Sequence, residues 1–142
     1  MTGYSNARRL ADRGAISLEG LSNQTGLYKI WKTEKSVWLD GQDVMRSHVM
    51  DDAIIVPPTP LPPQRFKTLI ENIGSARPFE TVEFSEQEFL NLGNTIIISY
   101  NATANHQRFR RPYLAHCITT YVMCSGRWQI ASHSHVKRDK RG

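Results

Sequence analysis

One carboxylate stands where a soluble helix tolerates it least. Leu27, Ile30, Trp31, Val37 and Trp38 share one helical face at 100° per residue, while Lys29, Lys32, Lys35 and Ser36 fall on the other. Glu34 lies inside the apolar arc, one turn after Ile30 and Trp31 and one turn before Val37 and Trp38. Burial disfavours the charged carboxylate, so Glu34 is expected either to have a raised pKa or to meet a donor such as a tyrosine or histidine. A raised carboxyl group in a cavity suits general acid or base work. The same placement also suits a structural acid bonded to a neighbouring sheet.

Other residues could join that cluster. Tyr100 interrupts an aliphatic strand face and would present its hydroxyl to the interior, and His116 is assigned to the interior face of the next strand. Each has a plainer reading as a core side chain that finds one partner. These three, Glu34, Tyr100 and His116, are the expected catalytic set, with Trp31, Trp38, Ile98, Tyr100, Ile118 and His133 expected to bind a ligand. His133 and His135 stand two apart and project from one face of the last strand, a spacing able to bind a metal, with His116 as a third imidazole. No second motif supports such a site, so neither a metal nor another cofactor is expected. The GxSxG, P-loop, dinucleotide, HExxH and CxxC patterns are absent, which argues against several enzyme classes without excluding catalysis.

The elements that must position these residues are legible as helices followed by strands. The first helix is expected from Thr25, a plausible N-cap, to a break at Gly41, and a second from Gln42 to Met50. Ala53-Ile54-Ile55-Val56 reads as a short strand. Five of the seven residues from Pro57 to Pro63 are proline, which imposes an extended connector. Phe66, Leu69, Ile70 and Ile73 mark a third helix ending near Gly74. Strands are expected near 79–91, 94–105, 112–124 and 127–136, with turns at Gly93-Asn94 and Ser125-Gly126. On 94–105, Ile96, Ile98, Tyr100, Ala102 and Ala104 should face the helices. Strand 112–124 is mixed on both faces, Leu114, His116, Ile118, Thr120 and Val122 opposing Tyr113, Ala115, Cys117, Tyr121 and Met123. A strand wanting cover on both sides suggests a homodimer through the outer sheet face.

The bulk properties set limits. The 142 residues suit one domain, taken as 25–136, with a loosely ordered N-terminal arm at 1–24 and a basic tail at 137–142. The net charge of +5 resides mostly at the two ends: residues 1–20 and 137–142 hold seven of the 18 basic groups and three of the 13 acidic ones. The body is nearly neutral and lacks an aromatic-interleaved basic stripe, so nucleic acid is not the expected partner. No run approaches the ~18 apolar residues needed to span a bilayer, and the N-terminus lacks a signal-like apolar core, so a cytoplasmic location is expected. Cys117 and Cys124 lie seven apart on one strand, too far for a disulfide, and are read as reduced thiols.

The long helix with Trp31, Glu34 and Trp38, the "VMDDAIIV" and "LGNTIIISYNATA" segments and the ending "SGRWQIASH" together resemble the SnoaL-like and ketosteroid-isomerase-like branch of the nuclear transport factor 2-like superfamily. The resemblance covers about residues 25–136, and its most specific piece is Gly126, Trp128, Ile130 and His133. It implies an α+β fold: a cone-shaped barrel in which a curved antiparallel sheet wraps a long N-terminal helix and two shorter helices around a cavity. Members include isomerases, cyclases, dehydratases and non-catalytic binding domains, usually dimeric. Where the branch isomerises, an aspartate base works with a tyrosine and an acid; strand 94–105 has no aspartate, which would make Glu34 and Tyr100 substitutes. The expectation is a small-molecule-binding domain for a small hydrophobic molecule, with acid/base chemistry of the isomerase, dehydratase or cyclase type on a carbonyl compound. The alternative is a non-catalytic dimeric adaptor that binds a protein or nucleic acid through its sheet face or basic tails.

Overall fold

In the computed structural model, residues 18–57, 62–73 and 79–138 are described; the arm at 1–17, the middle of the proline connector, Gly74 and the tail beyond Arg138 lie outside these. The first helix, α1, spans Leu18–Asp40 and so begins earlier than Thr25. Helix propagation is favourable once a turn exists, so a good cap residue inside the run is passed over although Gly20, Ser22 and Asn23 are weak helix formers. Gly41 ends α1 with φ 84°, a backbone region that glycine enters at little cost, and the chain re-enters helix as α2, Gln42–His48.

Strand β1, Val49–Val56, starts at once and is longer than the expected four residues. A two-residue strand β2, Gln64–Arg65, pairs antiparallel with it before α3, Phe66–Ile73. The remaining strands are β3, Thr81–Asn91, β4, Thr95–Asn105, β5, Tyr113–Cys124, and β6, Arg127–Lys137. The order across the sheet is β2-β1-β6-β5-β4-β3. The last four strands form the expected antiparallel meander, but β1 joins β6 in parallel, so the curved sheet is mixed. That pairing covers the edge β6 would otherwise leave open.

Alternation decides which side chains enter. Along β4, Ile96, Ile98, Tyr100, Ala102 and Ala104 are buried, as their period-two spacing requires. On β5 the expected assignment is reversed. Tyr100 lies opposite Cys117, Ile98 opposite Thr119 and Ile96 opposite Tyr121, and directly opposed residues share a face. Ala115, Cys117, Thr119 and Tyr121 are therefore inside, while His116 and Ile118 are outside.

A bulge then changes the parity of β6. Tyr121 pairs with Ile130 but Thr120 pairs with Ser132, so Ala131 is an extra residue. Ile130 and, three positions later, His133 consequently both face inward. Ser125 and Gly126, at φ 53° and 77°, make the two-residue turn that fixes this hairpin. Helix α1 lies close on the sheet at Gly26, where an added Cβ would stand 3.2 Å from Trp128 Nε1.

Candidate functional site

Glu34 is brought to the centre of the molecule with 1% of its surface exposed. Three hydroxyl groups from two strands converge on its carboxyl group. Thr119 Oγ1 donates to Oε2 at 2.7 Å and the Tyr121 hydroxyl donates to Oε1 at 2.7 Å. The Tyr100 hydroxyl also donates to Oε2, while accepting a bond from Trp38 Nε1 at 3.0 Å. Because the indole N–H can only donate, it directs the tyrosine proton toward Glu34. Burial raises the carboxyl pKa above its usual range, and the three hydroxyl bonds draw it only part of the way back. Tyr100 and Tyr121 are held as neutral phenols, chiefly by burial and secondarily by the nearby Glu34.

The other side of Glu34 opens on a cavity of about 320 Å³. Its walls come from four directions: Val37 and Trp38 of α1, Gln42 and Met45 of α2, Phe66 and Ile70 of α3, and Val49, Ile130, His133 and His135 of the sheet. The lining is apolar except at Glu34, Gln42, His133 and His135. Gln42 Nε2 is buried without a hydrogen-bond partner among the described residues, a donor available to a bound molecule.

The two histidines are held by different neighbours. His133 Nδ1 lies 2.7 Å from Thr119 Oγ1 and 3.6 Å from Glu34 Oε2. With the Thr119 hydrogen directed to Glu34, that contact is an Nδ1–H donated to Oγ1, which leaves Nε2 as an acceptor. His135 Nε2 lies 2.8 Å from the Tyr113 hydroxyl, and its ring packs on Trp38 at 4.9 Å between centroids. Burial lowers His133 to about 4, and burial with the neighbouring His133 lowers His135 to about 3, so both rings are neutral near pH 7.

The expected site residues separate into three groups. Glu34, Trp38 and His133 line the cavity, with Tyr100 directly behind Glu34. Trp31 packs against Phe84 and Tyr100 and Ile98 is buried on β4, and neither lines the cavity. His116 and Ile118 are corrected to the outer face: His116 Nδ1 bonds Asn101 Oδ1 at 2.6 Å, and Ile118 is 45% exposed. Thr119, Tyr121 and Gln42 were not anticipated as site residues. The Ser125-Gly126 turn was a usable signal for one of them, because counting back from it sets Tyr121 opposite Ile130.

No known family profile matches the sequence, and no curated protein matches it. Solved structures do match. A candidate ketosteroid isomerase from Parabacteroides distasonis is 12% identical over 80% of this chain and 88% of its own, with a TM-score of 0.69. A nuclear transport factor 2-like protein of unknown function from Shewanella baltica is 10% identical, over 84% of this chain and 97% of its own, with a TM-score of 0.63. A candidate calcium/calmodulin-dependent kinase II association domain from Exiguobacterium sibiricum gives 11% identity, 87% and 96% coverage and a TM-score of 0.62. The chain therefore has the nuclear transport factor 2-like α+β cone fold. At these identities the likeness is of fold, and the site must supply the function. Among the described residues, no helix is long and apolar enough to cross a membrane.

Proposed function

We propose that this protein binds a small hydrophobic molecule bearing one polar group, and that acid–base chemistry at a carbonyl is the activity its cavity suits. The observation carrying the reading is an apolar cavity of about 320 Å³ whose polar wall is Glu34, Gln42, His133 and His135. The volume suits a compact molecule of one or two rings. Gln42 Nε2 would donate to its polar group and His133 Nε2 would accept from it. Glu34, with its raised pKa, is the group we assign to proton transfer, and Tyr100, Tyr121 and Thr119 hold it in place. Isomerisation, dehydration and cyclisation at a carbonyl compound can each use such a transfer.

The test is a panel of cyclic ketones and enones, screened in the presence of EDTA by tryptophan fluorescence and thermal shift. At least one compound should quench Trp38 and raise the melting temperature, and Leu69→Trp, which fills the cavity, should abolish both effects. Binding that survives Leu69→Trp, or a panel with no response, counts against the reading. For a compound that turns over, Glu34→Gln should remove activity while binding persists; unchanged turnover would remove Glu34 from the mechanism.

A homodimer is supported by apolar side chains left on the outer sheet face, with Ile54 and Ile118 45% exposed and Val136 55% exposed. Sedimentation of a strict monomer at micromolar concentration would rule it out. The free thiols of Cys117 and Cys124 fit the cytoplasm, an assignment that recovery of the protein from a secreted fraction would overturn.

The adaptor reading draws on a second groove, lined by Arg108, Arg110, Arg111, Lys137 and Arg138. Binding there to an RNA oligonucleotide should weaken steeply with salt and with truncation of 137–142. A salt-independent interaction would dismiss it.

A further inference from the structure

The side chains of Cys117, His133 and His135 lie together beside the cavity, each offering a ligand atom, and these atoms are all within 4.8 Å of one another. Their convergence follows from the sheet. Cys117 stands directly opposite His135 on β5 and β6, and His133 is the next inward residue along β6 after the bulge. The sequence spacing suggested His116 as the third ligand; the register sends His116 outward and puts the adjacent Cys117 in that place.

We infer that Cys117, His133 and His135 form a binding site for a divalent transition ion of the zinc class, with an open coordination position facing the cavity. Two imidazoles and a thiolate are a borderline-soft donor set of the kind zinc and cobalt accept, and three protein ligands leave the fourth tetrahedral position for a water or substrate atom. Tetrahedral bonds of roughly 2.0–2.3 Å put neighbouring ligand atoms roughly 3.3–3.7 Å apart. Closing from separations of at most 4.8 Å therefore needs only side-chain adjustment.

Outer bonds already orient both rings. His133 Nδ1 meets Thr119, which in turn donates to Glu34, and His135 Nε2 meets Tyr113. The remaining nitrogens, His133 Nε2 and His135 Nδ1, have no protein partner among the described residues, and with an ion bound its open position takes over from His133 Nε2 the polar group of a cavity ligand. A metal-ligating imidazole usually donates its other N–H to an oxygen acceptor that fixes the ring, and the hydroxyls of Thr119 and Tyr113 supply such acceptors here. On this view the Thr119 hydroxyl, itself anchored on Glu34, fixes the ring of His133. His133 and His135 line the cavity while Cys117 stands behind them, so the open position points into the cavity. Cys117 would bind as the thiolate, its proton passing to solvent.

The probe is Co²⁺ alone, added to chelator-treated, reduced full-length protein. One equivalent per chain should bind, giving the visible bands of tetrahedral cobalt and a sulfur-to-metal charge-transfer band in the near ultraviolet; Zn²⁺ should displace it. Cys117→Ser should remove the charge-transfer band, and His135→Gln should weaken binding at least about 100-fold, with Thr119→Val costing about 10–100-fold through the lost orientation of His133. Cys124→Ser is the control and should bind as wild type. Circular dichroism of each variant separates loss of the site from loss of the fold. Absence of stoichiometric Co²⁺ binding by the wild type, or a charge-transfer band that persists in Cys117→Ser, overturns the site. Either result leaves the small-molecule reading standing, because that screen is run with EDTA.

Discussion

The two sides of α1 meet unlike interiors. Toward β3 and β4 the space is filled by rings and methyl groups. Phe84 lies 4.2 Å from Tyr100 between centroids, Trp31 lies 5.8 Å from Tyr100, and Ile96, Ile98 and Ala102 are fully buried around them. Toward β1 and β6, Val49, Phe66, Ile70 and Ile130 line the cavity. Glu34 sits on the border. The filled side supplies hydroxyl donors held too firmly to wander, and the open side supplies access. A carboxyl group wholly inside the first would be structural, and one wholly inside the second would be poorly oriented.

The largest effect should come from removing the border residue. Glu34→Leu leaves the hydroxyls of Tyr100, Thr119 and Tyr121 buried without their shared acceptor, at about 1–3 kcal/mol each before relaxation. Urea unfolding should show a loss of about 4 kcal/mol, and a loss below about 1 kcal/mol would mean that the three hydroxyls find other partners. Glu34→Gln sharpens the point through pH. The folded carboxyl has a pKa above 4.5, so its contribution is complete below pH 4.5 and is lost as pH rises through the folded value. The stability of Glu34→Gln relative to wild type should accordingly improve as pH rises. A difference that runs the other way would show that the hydroxyl bonds outweigh burial.

The next comparison sets one deletion on each side. Ile98→Ala on the filled side creates a new void and should cost about 3 kcal/mol. Leu69 is half-buried and lines the cavity on the open side, so Leu69→Ala enlarges a void that already exists and should cost under half as much. Equal losses in urea melts would mean that the cavity closes in solution. Insertions should reverse the order: Ala102→Val overpacks a fully buried position at about 1–3 kcal/mol, whereas Val49→Leu enters free space and should be neutral or stabilising.

How far the sequence reveals this contrast depends on whether one element or several define a feature. The helix face with Glu34 at its middle is a property of α1 alone, and its 3.6-residue period exposes it. The inward set on β4 and the turns at Gly93 and Ser125-Gly126 are equally local. The cavity is not, because it is the gap left among α1, α2, α3, β1 and β6, and no single period records a gap. The extension of β1 back to Val49, and its parallel pairing with β6, depend on the same non-local assembly. Gln42 illustrates the difference: its sequence context marks only a helix start, and its unpaired amide acquires meaning once the cavity exists.

Strand β5 is the sharpest case, and it carries the smallest predicted effect. Its two alternating sets are almost equally apolar, so hydrophobicity does not choose between them. The connection from β4 runs through His106–Pro112, too long to fix a register. The Ser125-Gly126 turn does set Tyr121 opposite Ile130, but strict alternation from Ile130 would turn His133 outward, and it is the extra residue at Ala131 that brings this expected ligand-binding residue inside. His116→Ala changes only the outer face and should alter stability by less than about 0.5 kcal/mol. Thr119→Val, further along the same strand and isosteric, should cost several times more, because it removes the link between Glu34 and His133. The opposite ranking in urea unfolding would place His116 inside and remove both the hydroxyl cluster and the Cys117 site at once. Two residues of one strand thus test the whole arrangement, since a slip of one position exchanges every inward side chain for an outward one.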